Sequence, residues 1–219
     1  MRIVGSLMVL GAALALSACA GNPHQLSSHY LDRYAVPDPT PASFFECRGF
    51  GCAEKSHVAL SRHEWQRVAA VFAPRAANAA AERQRIAQAV ALMQRLVGAK
   101  TGTAVHQWTH QDMKILPNLG DTSQLDCVDE AVNTWTYLTM MQRAHLLHYH
   151  QVADLAYAGL PTDPNPRNTA VLRDKDGQYF AIDPSLVDSG VRPPVMPLAT
   201  WLGSWPPKLS ARDVQGSSS

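Results

Sequence analysis

The chain is short of charged residues, and those it has are balanced. Of its 219 residues, 17% are Asp, Glu, Lys or Arg, against about 25% in an average domain. The formal net charge is +1 at pH 7, which excludes a nucleic-acid binder held by a large basic surface and an acidic, solvating chain. Hydrophobic residues make up 46% of the chain and can build a core. We therefore expect one globular domain with appendages.

The sequence also lacks the motifs that hold common cofactors. It contains no internal repeat, no Gly-rich phosphate loop and no repeated cysteine pair with the spacing of zinc ligands. The segment Asp174-Lys175-Asp176-Gly177 has neither the remaining oxygen ligands nor the closing glutamate of a calcium loop, so it indicates a turn. We therefore predict no metal and no cofactor, and no nucleic acid among the partners.

An apolar run near the first residue is too short to span a membrane. It covers residues 3–16, and a membrane-spanning helix needs about 20 apolar residues. The segment Leu16-Ser17-Ala18-Cys19 resembles the lipobox of bacterial lipoproteins, in which an aliphatic residue and two small residues precede a cysteine. The resemblance implies a signal peptide over residues 1–18 and acylation of Cys19 after cleavage. An ordinary signal peptide with a chance cysteine is the alternative.

The residue after the predicted lipidation site indicates which membrane holds the protein. Ala20 stands where an aspartate would resemble an inner-membrane retention signal. We therefore predict an outer-membrane anchor with the domain facing the periplasm, so that the membrane is one partner. Residues 19–43 are rich in Pro, Ser, Asn and His, which predicts a flexible linker. The domain is expected over residues 44–210, followed by a disordered tail over 211–219.

Hydrophobic periodicity predicts three helices and then strands. A capping box of Ser61 and Glu64 opens the first helix, which ends before Pro74. Further elements are predicted as a helix over 77–97 with Gly98 as its C′ residue, a helix over 126–147, strands over 169–172 and 179–182, and a short helix over 198–202. The predicted fold class is α+β, with helices followed by a small antiparallel sheet.

Two of the four cysteines lie close together in the chain. Cys47 and Cys52 flank a segment with two glycines, and an exported chain meets oxidising conditions, so the leading prediction is a disulfide between them. Two buried thiols are the alternative. A metal site with His57 and His63 is less favoured, because no second cysteine pair completes it.

Cys127 is then left without a partner. It lies in the first turn of a predicted helix, where the helix dipole favours a thiolate. The neighbouring carboxylates of Asp126, Asp129 and Glu130 have the opposite effect on its pKa. A small hydrophobic residue buried between helix and sheet is the alternative role.

The order of elements around Cys127 carries a family resemblance. Cys127 opens a helix, and a hairpin whose second strand ends in Ala181-Ile182-Asp183-Pro184 follows some 40 residues later. Over roughly residues 125–183 this resembles the transglutaminase-like superfamily, including bacterial transglutaminase-like cysteine proteinases. The resemblance implies a papain-like core with Cys127 as the nucleophile and Asp183 as the residue that orients a histidine base. At the expected position of that histidine the sequence has Asn168.

The missing histidine separates two interpretations. A two-residue turn between the strands places Asn168 and Asp183 on one face, and asparagine cannot take a proton from a thiol. In one interpretation the domain is degenerate and binds peptide, protein or peptidoglycan. In the other it is an active amide hydrolase or acyl transferase whose displaced base is one of three histidines, namely His106, His110 and His150. A purely structural envelope lipoprotein is a third alternative.

Overall fold

The computed structural model describes residues 26–105, 122–159 and 166–203. Within these ranges the fold is α+β. Its strands are β1 (Leu26–Ser27), β2 (Phe44–Arg48), β3 (Glu54–Val58), β4 (His150–Val152), β5 (Leu155–Ala158), β6 (Arg167–Asp174), β7 (Tyr179–Ile182) and β8 (Val195–Pro197). Its helices are α1 (His29–Tyr34), α2 (Arg62–Ala70), α3 (Ala79–Thr101), α4 (Cys127–Arg143) and α5 (Leu198–Trp201).

An antiparallel sheet is built around β6. The strand order is β1-β5-β6-β7-β8, and β4 pairs with β6 beside β5. β6 is buried along residues 167–172 because α4 packs on one of its faces and a small apolar cluster with Trp201 of α5 packs on the other. The hairpin of β2 and β3 is separate and precedes α2, so the predicted order of helices followed by sheet is only partly right.

The predicted start of α2 is confirmed, and the predicted end of α3 is wrong. Ser61 and Glu64 form the capping box reciprocally. α3 continues past Gly98 to Gly102, which caps it at φ 84°. Gly98 has another role: a Cβ there would lie 2.8 Å from the backbone nitrogen of Ala104, so glycine permits the turn at Thr103–Val105 to pack on the helix. No described helix is both long enough and apolar enough to cross a membrane.

The predicted linker is wrong over its described part. Leu26 of β1 pairs with Ala156 of β5, and α1 buries Leu31 in the main core. These contacts join segments far apart in the chain, and local composition does not encode them. The folded domain therefore begins no later than residue 26.

The predicted hairpin of β6 and β7 is confirmed. Its pairing register is shifted by one residue from the register that a two-residue turn would give. Asp174 closes a longer turn than predicted, since its Oδ1 accepts hydrogen bonds from the backbone N–H groups of Asp176 and Gln178. Ala170 consequently pairs with Ile182, and extending the pairing by one residue sets Thr169 opposite Asp183. The expectation that Asn168 and Asp183 share a face of the sheet is therefore wrong.

Candidate functional site around Cys127

Cys127 is the first residue of α4, directly after a double carboxylate cap. Asp126 accepts hydrogen bonds from the N–H groups of Val128 and Asp129, and the Asp129 carboxylate accepts from the Asp126 N–H at 3.1 Å. This capping box satisfies backbone donors that the first helical turn leaves open. The spacing of the two aspartates, three residues apart, is the sequence signal of this cap.

The same two carboxylates hold the disulfide loop. Cys47 and Cys52 are bonded, as predicted, with 4.6 Å between their Cα atoms. Residues 49–52 all have positive φ, so their N–H groups converge, and carboxylates favour such a concave donor site. Asp129 accepts from the N–H groups of Phe50 and Cys52, and Asp126 accepts from that of Gly51. The disulfide therefore excludes the alternative metal site at these cysteines, and its loop is tied to the first turn of α4, which contains Cys127.

Asn168 of β6 is the side chain in contact with the thiol. Its Nδ2 lies 3.6 Å from Cys127 Sγ, the backbone of Asn168 also forms a hydrogen bond with the sulfur, and the Pro166 carbonyl lies 4.0 Å from it. Asn168 is 3% exposed, and its Oδ1 has no hydrogen-bond partner in the described part of the chain. Exchanging the two amide ends leaves Nδ2 in the unpartnered place. One buried polar atom therefore stays unsatisfied beside the sulfur.

Two tyrosines that the sequence did not single out border this contact. Tyr157 of β5 pairs directly with Asn168, so the two side chains lie on the same face. Tyr30 of α1 is close enough that, after burial, the charge of Cys127 and then that of Tyr157 raise its pKa. The segment predicted as linker thus forms one side of the site, and only non-local contacts bring it there.

The electrostatics of the site oppose a thiolate. Burial and then the Asp126 charge raise the pKa of Cys127 to about 12, against the lowering effect of the hydrogen bonds from Asn168, and the Asp183 charge adds the smallest increase. Burial also raises the pKa of two glutamates elsewhere in the core, Glu46 to about 8 and Glu130 well above its ordinary range. Burial and the charges of Asp126 and Asp183 disfavour the thiolate, so the thiol stays protonated near neutral pH.

Asp183 has a structural role in this geometry. Its Oδ1 accepts from the Ser185 N–H at 3.1 Å, and its Oδ2 accepts from Trp201 Nε1 at 2.7 Å. Trp201 is fully buried, and the Arg167 guanidinium lies 5.0 Å from its ring centroid. Neither oxygen bonds Asn168, so the orienting contact implied by the resemblance is not formed.

The structure places His150 away from Cys127, contrary to the expectation that it could serve as the base. His150 pairs with Asp174, six residues along β6 from Asn168, or about 20 Å at about 3.3 Å per residue. Its Nδ1 bonds Glu82 at 2.9 Å, and its Nε2 accepts from Arg83 at 3.1 Å. His106 and His110 lie outside the described residues.

The arrangement as described can bind but lacks a proton acceptor for the thiol. A neutral sulfur, an unsatisfied amide atom and two phenol groups form a hydrogen-bonding surface. No group of three or more His, Cys, Asp or Glu residues in the described ranges is arranged to hold a metal ion. Comparison of the chain with protein-family models, curated proteins and solved structures found no match.

Proposed function

We propose that the chain is an outer-membrane lipoprotein facing the periplasm, anchored through Cys19, with a catalytically degenerate domain of transglutaminase-like, papain-like type. The observation that carries the proposal is the contact between Asn168 and the Cys127 thiol. Asparagine stands at the position that the resemblance assigns to the base, and its amide cannot accept the proton of the thiol. The raised pKa of Cys127 supports the same conclusion, because an active thiol needs an accessible thiolate.

The proposed activity is binding at the site around Cys127. The unsatisfied amide atom of Asn168 is costly to bury, which favours a movement of the site that lets a ligand amide reach it. Tyr30 and Tyr157 offer an apolar ring with a polar tip, a combination suited to peptide surfaces. These groups favour a ligand that carries amide groups, which peptides, proteins and the peptide part of peptidoglycan share.

The reactivity of Cys127 tests the loss of catalysis. The full chain in nonionic detergent is labelled with iodoacetamide over a range of pH, and labelling of Cys127 is followed by peptide mass mapping. We expect slow labelling that accelerates only well above pH 9, because the pKa of Cys127 is raised to about 12. Fast labelling at pH 6 would instead establish the alternative, an active amide hydrolase or acyl transferase whose base is His106 or His110.

A histidine at position 168 supplies the converse test. Asn168→His should move the labelling transition of Cys127 to lower pH, because an imidazolium next to the sulfur stabilises the thiolate. Asn168→Ala is the matched control, since it removes the amide without adding a base, and should leave the transition high. An unchanged transition in Asn168→His would contradict the assignment of this position.

The anchor is tested separately from the site. Cys19→Ser should abolish acylation and release the exported protein from the membrane fraction. Cys127→Ser is the control and should fractionate like the unaltered chain. An unaltered chain that is exported and stays soluble would refute the lipoprotein proposal while leaving the binding proposal open to its own test.

A further inference from the structure

A groove lies at the far end of β6 from Cys127. It has a volume of about 880 Å³, within the size range of ligand sites, and runs between the end of α4 and the turn after β6. A second cavity of about 450 Å³ shares four lining residues with it and continues toward Leu26. Neither cavity contains Cys127, so the groove is distinct from the site around the thiol.

Two of the cationic side chains that line the groove, Arg173 and Lys175, have no acidic partner among the described residues. Each lies near a tyrosine ring instead, Arg173 at 5.8 Å from the Tyr179 centroid and Lys175 at 5.5 Å from the Tyr149 centroid. A chain with a net charge of +1 thus places two unpaired cations on one concave surface.

Further donors line the same groove. His145 and His148 are among its lining residues, and neither ring makes a hydrogen bond with another described residue. Arg143 also lines it and shares its charge with Asp38 through an exposed ion pair of 2.7 Å. The one acidic residue of the lining, Asp174, has Oδ1 occupied by two backbone N–H groups of the turn.

The wall that carries these donors is held rigidly. The buried Glu82 carboxylate accepts hydrogen bonds from the N–H groups of His148, Tyr149 and His150. The N–H of Val152 donates to Gln142. The N–H groups of His150 and Val152 on the open edge of β4 are therefore both already occupied. These contacts make the edge a poor template for an added strand and favour a ligand recognised by charge.

We propose that this groove binds a phosphate-bearing ligand, with Arg173 and Lys175 supplying the charge and the histidine rings additional donors. A phosphate monoester carries between one and two negative charges near neutral pH, which matches two unpaired cations. Arginine offers a planar fork for phosphate oxygens and lysine a point charge. The same chemistry occurs in free phosphates and in anionic lipid headgroups, and the experiment distinguishes these two sources.

The experiment compares two double variants of the full chain in nonionic detergent, titrated with inorganic phosphate and pyrophosphate by calorimetry. Arg173→Gln with Lys175→Gln should weaken binding by about tenfold or more, because two charge-assisted contacts are lost. Arg33→Gln with Lys55→Gln is the matched control. It removes the same charge from a pair of cations that also lie near one ring, that of Tyr34. It should change binding by less than about twofold.

A second arm removes the proposed anchor with Cys19→Ser, omits the detergent, and measures sedimentation of the same variants with vesicles of phosphatidylglycerol or of phosphatidylcholine. The proposal is supported if only the Arg173→Gln, Lys175→Gln variant loses binding. Whether it loses binding to soluble phosphate, to anionic vesicles or to both identifies the source of the ligand. Equal loss in both double variants, or no binding of any probe by the unaltered chain, overturns it. Unfolding midpoints of the variants check that they fold. Cys127→Ser should bind phosphate with unchanged affinity, which makes the outcome independent of the site around Cys127.

Discussion

Glu82 is a single carboxylate on which a long segment depends, and its removal is the most informative perturbation of the fold. It is 1% exposed and accepts four hydrogen bonds at 2.7–3.0 Å, three from backbone N–H groups of residues 148–150 and one from the His150 ring. Glu82→Ala leaves all four donors without this acceptor. Leaving a buried donor unsatisfied costs about 1–3 kcal/mol, so with four donors affected we expect a loss of at least about 3 kcal/mol in the free energy of unfolding.

A graded variant makes the prediction sharper. Glu82→Gln keeps one carbonyl oxygen for the three donors at Oε1 and loses only the bond to the His148 N–H, so it should cost about 1–3 kcal/mol. Urea unfolding followed by tryptophan fluorescence measures both variants. Glu54→Ala is the control, because its carboxylate is half exposed in a surface ion pair with Arg48 and should change stability by less than about 1 kcal/mol.

The pH dependence provides an independent check on the same residue. Although burial raises it, hydrogen bonds from His150 and from the N–H groups of His148 and Tyr149 lower the pKa of Glu82 overall. A lowered pKa in the folded state stabilises the fold above the unfolded pKa, and that stability is lost as pH falls through the folded value. The difference between the unaltered chain and Glu82→Ala should therefore shrink in acid. A loss below 1 kcal/mol at pH 7, or no more than that of Glu54→Ala, would refute the reasoning.

Two further predictions concern buried positions. Burial raises the pKa of Glu46 to about 8. The stability that Glu46 contributes is therefore full below its unfolded pKa and is lost as pH rises through 8. Glu46→Gln should flatten the decline in the free energy of unfolding between pH 6 and 9, and an unchanged decline would contradict this. Gly98→Ala should destabilise the chain by about 1–2 kcal/mol despite the better helix propensity of alanine, because its Cβ meets the Ala104 backbone. A rise in the unfolding midpoint of Gly98→Ala would show that the turn moves aside freely.

Local patterns predicted the elements whose signals are local. The capping box at Ser61, the disulfide across two glycines and the hairpin closed at Gly177 each depend on residues close in sequence, and the structure contains all three. The α+β class followed from the same periodicity. The family resemblance put Asn168 at the position of the base, and its amide lies 3.6 Å from the Cys127 sulfur; the prediction that Asn168 shares a face with Asp183 is wrong, because the register differs by one residue.

Non-local contacts account for what sequence reasoning missed. Nothing near Tyr30 shows that it borders Cys127, because α1 is placed by β1 pairing with β5, about 130 residues later. The partner of His150 is likewise Glu82, on a helix 68 residues earlier in the chain. A histidine that looked like a displaced base therefore serves to fix a turn, and an apparent linker forms part of the site.

The early start of the folded domain limits how far it can stand from a membrane. Only six residues lie between Cys19 and Leu26, where β1 begins, and seven steps of about 3.3–3.6 Å reach at most about 25 Å. Under the proposed acylation of Cys19, the edge of the sheet at β1 is kept within that height of the bilayer. Tyr30 follows four residues later, so under the same proposal the site around Cys127 that it borders is also held near the lipid.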